Sequence, residues 1–202
     1  MKRHELINWF IKRFGYARYL EIGVDNPSAN FDYIQAAHKV GVDPNKNTTH
    51  RCTSDQFFAA NTDVFDIVFV DGLHLKDQAL RDVENSLRVL SDNGTIIMHD
   101  CHPYNRYVGG PVHEPGKSWY GTVWQAFAHL RATRADLDMR VINTDCGLGV
   151  VRRGRQELYT GGYDTWEDYV AHQNEMLVLT STKDVPIIYN ESAMAQTEMA
   201  GA

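Results

Sequence analysis

Several features that would place a protein in a particular class are scarce or missing in this sequence of 202 residues. There are only three cysteines, an odd number without CxxC spacing, and this usage favours a reducing, cytoplasmic compartment over a disulfide framework. No apolar run approaches the about 20 residues of a membrane span, and the opening stretch MKRHELINWF lacks the apolar core of a signal peptide. Acidic residues outnumber basic ones, with a formal net charge of −6, so we expect no nucleic-acid partner. The lack of a long apolar run predicts that there is no membrane span.

Two further absences bear on domain organisation and on the kind of ligand site. The chain has no internal repeat and no interdomain linker. We therefore expect one α/β domain over residues 1–180, including an N-terminal helix, and a partly irregular C-terminal extension over residues 181–202. The GxGxxG pattern of dinucleotide-binding proteins is also missing, which disfavours a nicotinamide-dependent oxidoreductase.

The most informative segment that is present runs over residues 65–101. An apolar run at Ile67–Val70 ends at Asp71, and a second apolar run at Thr95–Met98 leads to Asp100. Between them, apolar residues at helical spacing predict one stripe of a helix, namely Leu80, Val83, Leu87 and Leu90, and Asn93-Gly94 is the expected end of that helix. This order predicts a βαβ crossover, and the carboxyl ends of parallel strands face the ligand crevice of such a sheet. We therefore expect the two aspartates to meet there.

The remaining periodicity predicts a doubly wound, Rossmann-like α/β sheet that is mostly parallel and closes with a C-terminal antiparallel hairpin. The expected helices cover residues 3–14, a short segment after a Ser54-Asp55 cap, a segment with Val123 to Leu130, and residues 164–178. A further helix is expected from about Asn30, with Ser28 or Asn30 as its cap and with Phe31, Ile34 and Ala37 pointing inward. The other expected strands are Tyr19–Val24, Val40–Val42, His50–Ser54, and the hairpin strands Met139–Asn143 and Gly149–Arg152.

The first half of the sheet carries the elements of a nucleoside site. A strand ends with Glu21 and Gly23, and the next strand ends in Asp43 about twenty residues later. A glycine allows close approach of the backbone to a ligand, and an acid at the second strand end accepts ribose hydroxyls.

Taken together, these motifs resemble the class I S-adenosylmethionine-dependent methyltransferases, and among them the small O-methyltransferase branch of sugar and catechol-type enzymes. The motifs that carry the resemblance span about residues 18–155 and are YLEIGV, VGVDP, TSDQFF, FDIVFVDGLH, RDVENSLRVL, GTIIMHDC and DCGLGVVRRG. The resemblance implies that S-adenosylmethionine is bound by Glu21, Gly23, Asp43, Ser54 or Asp55, and Asp71. Asp25 stands where the family often has a second glycine.

The same resemblance suggests catalytic roles at the second half of the sheet. Asp71 and Asp100 are the expected acceptor-side acids and the candidate ligands for Mg²⁺ or Mn²⁺, which prefer oxygen donors. His74 and His102 each lie just past one of these aspartates, and an imidazole can accept a proton near neutral pH. Whether a metal is present, and which histidine is the base, both stay open at this stage.

We therefore expect an S-adenosylmethionine-dependent O-methyltransferase that acts on a hydroxyl of a saccharide or glycosylated metabolite. The alternatives are a non-catalytic Rossmann-fold binding or scaffold protein and, with less support, the oxidoreductase. Aromatic residues in and beside the irregular segment 101–118 suit a sugar ring or a planar acceptor, but loop packing explains them equally well. A homo-oligomer is possible.

Overall fold

A sheet of six strands organises the computed structural model, which describes residues 1–45 and 48–190. The helices are α1 (Arg3–Phe14), α2 (Ser54–Ala60), α3 (Lys76–Val89), α4 (Val123–Thr133) and α5 (Trp166–Leu177). The strands are β1 (Arg18–Ile22), β2 (His38–Val42), β3 (Phe65–Val70), β4 (Leu90–Met98), β5 (Leu137–Ile142) and β6 (Leu148–Arg153).

The order of the strands across the sheet is β2-β1-β3-β4-β6-β5. Strands β2, β1, β3 and β4 run parallel to one another, whereas β6 is antiparallel to both β4 and β5. The direction of winding reverses at β1, where the chain moves outward to β2 and then returns to β3. The expected doubly wound sheet with a terminal antiparallel hairpin is confirmed, and ligands bind at such a reversal point in open α/β sheets.

The central crossover has the expected order of strand, helix and strand. The helix ends at Val89 instead of Asn93, because β4 begins at Leu90 and pairs there with Phe65. The pairing then shifts register before Ile67, and the shift accommodates Asn93-Gly94 inside the strand. A turn dipeptide that predicted the end of a helix is instead part of an irregular strand.

Apolar side chains cover both faces of the sheet. Along β3, Val68 and Val70 face the cluster formed with α3, α4 and α5. Ile67 and Phe69 point to the opposite face, which is covered by α1. This alternation is the period of two that a strand buried on both faces requires. The leading helix therefore covers one side of the sheet, as expected.

Two expected elements do not form. From Asn30 the chain makes a 3-10 turn at Phe31–Tyr33 instead of a helix, because Asn30 turns its amide into the interior and its φ of −149° is not helical. Ala37, expected to point inward, is exposed. His50 makes only a single bridge to Val42 in place of a strand.

The chain turns away from that bridge because α2 begins directly after it. Thr53 and Gln56 form a reciprocal capping box at the start of α2, so the cap lies one residue before the expected Ser54. Residues 101–118 contain neither helix nor strand, as expected. Among the described residues, no helix has both the length and the apolar character needed to cross a membrane.

Folded structure continues past residue 180, the expected end of the domain. Residues 185–190 are helical, and Val185 and Tyr189 are buried on the face that α1 covers. Residues 191–202, the rest of the expected extension, lie outside the described residues.

Candidate active site

The carboxyl ends of β3 and β4 place two acids side by side. The backbone amide of Asp71 donates to the Ile22 carbonyl at 2.8 Å, so the end of β3 is tied to β1. Asp100 follows β4 with a φ of +61°, a conformation that non-glycine residues rarely adopt. Backbone strain of this kind is frequent at functional sites, where surrounding contacts hold the residue in place.

Histidine side chains join the two acids. His74 Nε2 lies 3.2 Å from Asp71 Oδ1 and its Nδ1 lies 3.1 Å from Asp100 Oδ2. His99 Nδ1 also lies between the acids, at 3.2 Å from Asp71 Oδ1 and 3.0 Å from Asp100 Oδ1. The structure therefore brings together three of the four expected catalytic residues, with His99 as an additional member.

An arginine from the first turn of α1 reaches the same point. Arg3 Nη1 donates to Asp71 Oδ2 at 2.9 Å, and Arg3 Nη2 donates to Asp145 Oδ1 at 3.1 Å. The Arg3 backbone amide also donates to Asp145 Oδ2 at 2.6 Å. Asp145 lies in the β5–β6 turn, which is held against the end of β4 by the bond from the His102 amide to the Cys146 carbonyl at 3.0 Å.

These contacts set the protonation of the cluster, which consists of Arg3, Asp71, His74, His99, Asp100 and Asp145. Burial alone would raise the pKa of Asp71, but His99 and His74 hold it well below its usual range. Burial likewise opposes ionisation of Asp145, but the neighbouring His99 ring and the hydrogen bonds from Arg3 lower its pKa. The pKa values of His74 and His99 are raised against the effect of burial, chiefly by Asp71.

A cavity of about 700 Å³ opens beside this cluster and extends along the ends of β1 and β2. It is lined by residues of the first three strand ends and of α2, including Arg3, Glu21, Gly23, Asn30, Asp43, Ser54, Asp55, Asp71 and His74. Every residue expected to bind the cofactor lines this one cavity. Its size lies within the usual range of small-molecule sites, about 300 to 1,000 Å³.

One part of the cavity wall is a buried polar cluster. Glu21 is only 2% exposed, and its Oε2 accepts from Asn30 Nδ2 at 2.9 Å and from the Tyr19 hydroxyl. Burial raises the pKa of Glu21 to about 7, against the opposing effect of the bonds from Tyr19 and Asn30. The Asn30 Oδ1 atom is buried without a hydrogen-bond partner among the described residues. A buried acceptor of this kind calls for a donor from a ligand or water.

Another part of the cavity wall is a fixed carboxylate. Asp43 Oδ2 accepts from the Asp25 amide at 3.0 Å, and Asp43 Oδ1 accepts from the Asn45 amide at 2.7 Å. Asp25 adopts a φ of +44°, so the turn keeps a left-handed residue although glycine is absent from that position. Ser54 contributes to the wall near the start of α2 and accepts from Gln78 Nε2 at 3.2 Å.

His102 lies away from the acid cluster. Its Nδ1 is 3.2 Å from Asn143 Oδ1 and its Nε2 is 2.9 Å from Gln173 Oε1. It lines a second cavity, of about 420 Å³, together with aromatic residues including Tyr104 and Tyr120. The structure therefore places the two candidate bases in different cavities.

Sequence reasoning missed Arg3, Asp145 and Asn30. One signal for Arg3 was present, since a cation in the first turn of a helix opposes the helix dipole and needs another partner. Asp145 had the local explanation of a turn residue, and Asn30 that of a helix cap. No short-range pattern could pair Arg3 with Asp145, which lie 142 residues apart.

The cluster can be tested for its fit to a divalent metal. Asp71, His74 and Asp100 each offer one ligand atom, and these atoms lie within 4.8 Å of one another. However, side-chain N–H groups of Arg3 and His99 already donate to both oxygens of Asp71. Mg²⁺ requires free oxygen ligands around it. As arranged, the cluster does not fit a hard divalent cation.

Comparison with known proteins places the fold. Residues 16–101 match the model of a family described as a methyltransferase domain. The O-methyltransferase from Bacillus cereus in complex with SAH has a TM-score of 0.57 at 12% identity, covering 75% of this chain and 80% of the other. The chain has the fold of the class I methyltransferases.

Two further solved structures share this fold. The SAH-bound methyltransferase PaMTH1 from Podospora anserina has a TM-score of 0.53 at 17% identity, covering 75% of this chain and 78% of the other. The O-methyltransferase TomG from Streptomyces achromogenes, in complex with SAM, has a TM-score of 0.53 at 16% identity, covering 75% and 79%. No curated protein matches the sequence.

The expected resemblance to class I methyltransferases is thus confirmed. The matched segment of the methyltransferase domain contains Glu21, Gly23, Asp43, Asp71 and Asp100, and it ends directly after β4. Arg3 on α1 and Asp145 in the β5–β6 turn lie outside the matched segment.

Proposed function

We propose that this protein is an S-adenosylmethionine-dependent O-methyltransferase that acts on a hydroxyl of a saccharide or glycosylated metabolite. The observation that carries the proposal is the single cavity that joins the Asp43 carboxylate, the polar cluster of Glu21 and Asn30, and the His74 imidazole. Three proteins of the same fold were crystallised with SAM or its demethylated product SAH.

The cavity suits a ligand with a nucleoside at one end and an amino acid at the other. The two oxygens of Asp43 are fixed by backbone amides and keep lone pairs for the hydroxyls of a ribose. Elsewhere on the wall, Glu21 and the unpartnered Asn30 Oδ1 can accept from an ammonium group. When bound, S-adenosylmethionine supplies a methyl group on a positively charged sulfur.

His74 is the better placed of the two candidate bases. Its Nδ1 lies 3.0 Å from the Trp119 carbonyl oxygen, which can only accept, so Nδ1 carries the proton. In its neutral form the ring can take up a proton at Nε2, which lies at the cavity wall 3.2 Å from Asp71 Oδ1. The Asp71 carboxylate stabilises the protonated ring and so raises the pKa of His74. The hydroxyl proton of the acceptor would pass to Nε2 as that oxygen takes up the methyl group.

The second cavity is the candidate binding site for the rest of the acceptor. It borders the acid cluster at Asp145 and is lined by His102, Asn143 and Gln173 as well as by aromatic rings. Aromatic faces combined with amide groups suit a saccharide, whose ring presents apolar faces and hydroxyl edges. On this assignment His102 contacts the acceptor and does not act as the base.

We also propose a cytoplasmic location. The three cysteines, Cys52, Cys101 and Cys146, are all free thiols, which supports a reducing compartment.

Calorimetric titration with SAH, followed by transfer assays with labelled S-adenosylmethionine and glycosylated acceptors, tests the proposal. We expect SAH to bind the wild type, and Asp43→Asn to weaken that binding roughly tenfold or more, since one charged hydrogen bond is lost. His74→Gln should lower transfer by about 10²-fold or more while SAH affinity is kept. His172→Gln, an exposed histidine on α5, is the matched control. Absence of SAH binding at millimolar concentration would exclude the proposal.

A further inference from the structure

Side-chain nitrogens surround the carboxylates at the ends of β3 and β4. Asp71 Oδ1 accepts from His99 Nδ1 at 3.2 Å, and Asp71 Oδ2 accepts from Arg3 Nη1 at 2.9 Å. Asp100 Oδ2 lies 3.1 Å from His74 Nδ1, and Asp100 Oδ1 lies 3.0 Å from His99 Nδ1. Both oxygens of Asp71 therefore already have hydrogen-bond donors, and each oxygen of Asp100 faces a histidine nitrogen.

His99 occupies the space between the two acids. Its Nδ1 is nearly equidistant from the nearer oxygens of Asp71 and Asp100, at 3.2 and 3.0 Å. A divalent ion bridging these oxygens would have to lie about 2.0 to 2.6 Å from each of them, in the same space. The imidazole cannot move aside easily, because His99 is only 5% exposed and its ring lies against Phe69.

Arg3 supplies a permanent positive charge at the same place. Its guanidinium is fixed by Asp145, to which Nη2 donates at 3.1 Å and Nε at 3.2 Å. The helix that carries Arg3 is anchored by the fully buried side chains of Leu6 and Ile7. An arginine keeps its charge throughout the physiological pH range, and one held in this way needs little reorganisation during a reaction.

We propose that Arg3 and the His99 N–H take the place of a divalent cation between Asp71 and Asp100, so that this protein transfers the methyl group without a bound metal. The inference rests on the proposed function. Arg3 lines the same cavity as His74, so its charge lies on the side where the acceptor oxygen loses its proton. A fixed positive charge there stabilises the negative charge that develops on that oxygen.

Binding of Mn²⁺, followed by the electron paramagnetic resonance signal of the free ion, tests the proposal on SAH-loaded protein. We expect the wild type to bind no Mn²⁺ at millimolar concentration. Arg3→Gln frees Asp71 Oδ2, and His99→Asp replaces the intervening N–H by oxygen donors, so both variants should gain affinity by roughly tenfold or more. Lys12→Gln removes the same charge from an exposed position of α1 and should behave as the wild type.

The transfer rate gives a second readout. We expect a chelator to leave the wild-type rate unchanged within about twofold, because the charge comes from the chain itself. Stoichiometric Mn²⁺ binding by the wild type that is lost in Asp100→Asn would overturn the proposal, as would a rate abolished by the chelator and restored by Mn²⁺. It is equally overturned if both folded variants fail to gain Mn²⁺ affinity.

Circular dichroism identifies any variant that does not fold. If a variant does not fold, the Mn²⁺ binding and the chelator response of the wild type still decide the proposal. SAH binding, measured by calorimetry on the same samples, separates the two ideas. Loss of SAH binding contradicts the proposed function, whereas the Mn²⁺ result concerns only the replacement of the metal.

Discussion

At the scale of single residues, Glu21 shows how a buried acid can be kept ready for a ligand. Its carboxyl accepts from Tyr19 and Asn30, but these bonds compensate only part of the burial, and the pKa of Glu21 is raised to about 7. The group is therefore partly protonated at neutral pH in the empty cavity. An ammonium group placed beside it would favour the ionised form.

The raised pKa of Glu21 predicts a pH dependence of stability. An acid whose pKa is higher in the folded state than in the unfolded state stabilises the fold fully below the unfolded value, here about 4.5, and loses that contribution as the pH rises through about 7. Relative to Glu21→Gln, the wild type should lose up to roughly 3 kcal/mol between these pH values. Urea unfolding of both proteins at several pH values measures the difference.

A suitable control is Glu84→Gln, because Glu84 is an exposed acid on α3. The stability difference between this variant and the wild type should stay nearly constant over the same pH range. A difference between the wild type and Glu21→Gln that does not change with pH would show that Glu21 titrates normally.

Glu21 also predicts proton release when the cofactor binds. If the ligand ammonium lies next to this carboxyl, binding lowers the pKa of Glu21 and the protonated fraction ionises. At pH 7 roughly half a proton should be released per SAH bound. Calorimetry in buffers of different ionisation enthalpy measures this number, which should fall to near zero in Glu21→Gln. Equal proton release by both proteins would place the ammonium elsewhere.

At the scale of the elements, the junction between β1 and β3 positions both halves of the site. Gly23 has a φ of +87°, and a Cβ atom there would lie 2.0 Å from the Asp71 carbonyl oxygen. The end of β1 is therefore in direct backbone contact with the end of β3, which carries Asp71. Only glycine satisfies both the conformation and the contact.

Gly23→Ala is expected to damage the fold and the site together. Gly15→Ala is the matched control, since Gly15 also has a positive φ, of +68°, but nothing lies within 4 Å of its Cβ position. The control should cost about 1 to 2 kcal/mol of unfolding free energy from backbone strain alone. Gly23→Ala should cost about 4 kcal/mol or more and abolish SAH binding. If urea unfolding shows similar losses of unfolding free energy for Gly23→Ala and Gly15→Ala, the surrounding structure relieves the close contact at Gly23 at little energetic cost.

The elements differ in how far the sequence predicts them. The βαβ crossover was predictable because the strand runs and the helical stripe of α3 are long and strongly periodic. The structure of the segment after Asn30 was not predictable in this way. Its three apolar positions fit a helix, but the Asn30 side chain donates to Glu21 instead of capping a helix. Here a tertiary contact overrides a weak local pattern.

The candidate site divides in the same way. Asp71 and Asp100 could be placed because parallel strands bring their carboxyl ends to one edge. Arg3 and Asp145 could not, because their pairing depends on how α1 and the β5–β6 turn pack against the finished sheet. The assignment of His102 to the second cavity likewise depends on packing, through its contact with Gln173 on α5.

At the scale of the whole molecule, the two faces of the sheet are covered unequally. One face carries α3, α4 and α5, whereas the other depends on α1 and on the helical residues 185–190. Tyr189 is only 1% exposed and packs on Phe10 with ring centroids 4.9 Å apart. The segment that follows the expected domain end is thus part of the support for the helix that carries Arg3.

Tyr189→Ala tests whether residues 185–190 belong to the domain. Removing a fully buried aromatic side chain should lower the free energy of unfolding by about 3 to 5 kcal/mol. Ile187→Ala is the control, because Ile187 lies in the same segment but is 58% exposed, and it should change stability by less than about 0.5 kcal/mol. If the two variants are equally stable in urea, the domain ends near residue 180 as the sequence predicts. If only Tyr189→Ala loses stability, the domain includes these residues, because the face of the sheet under α1 then depends on them.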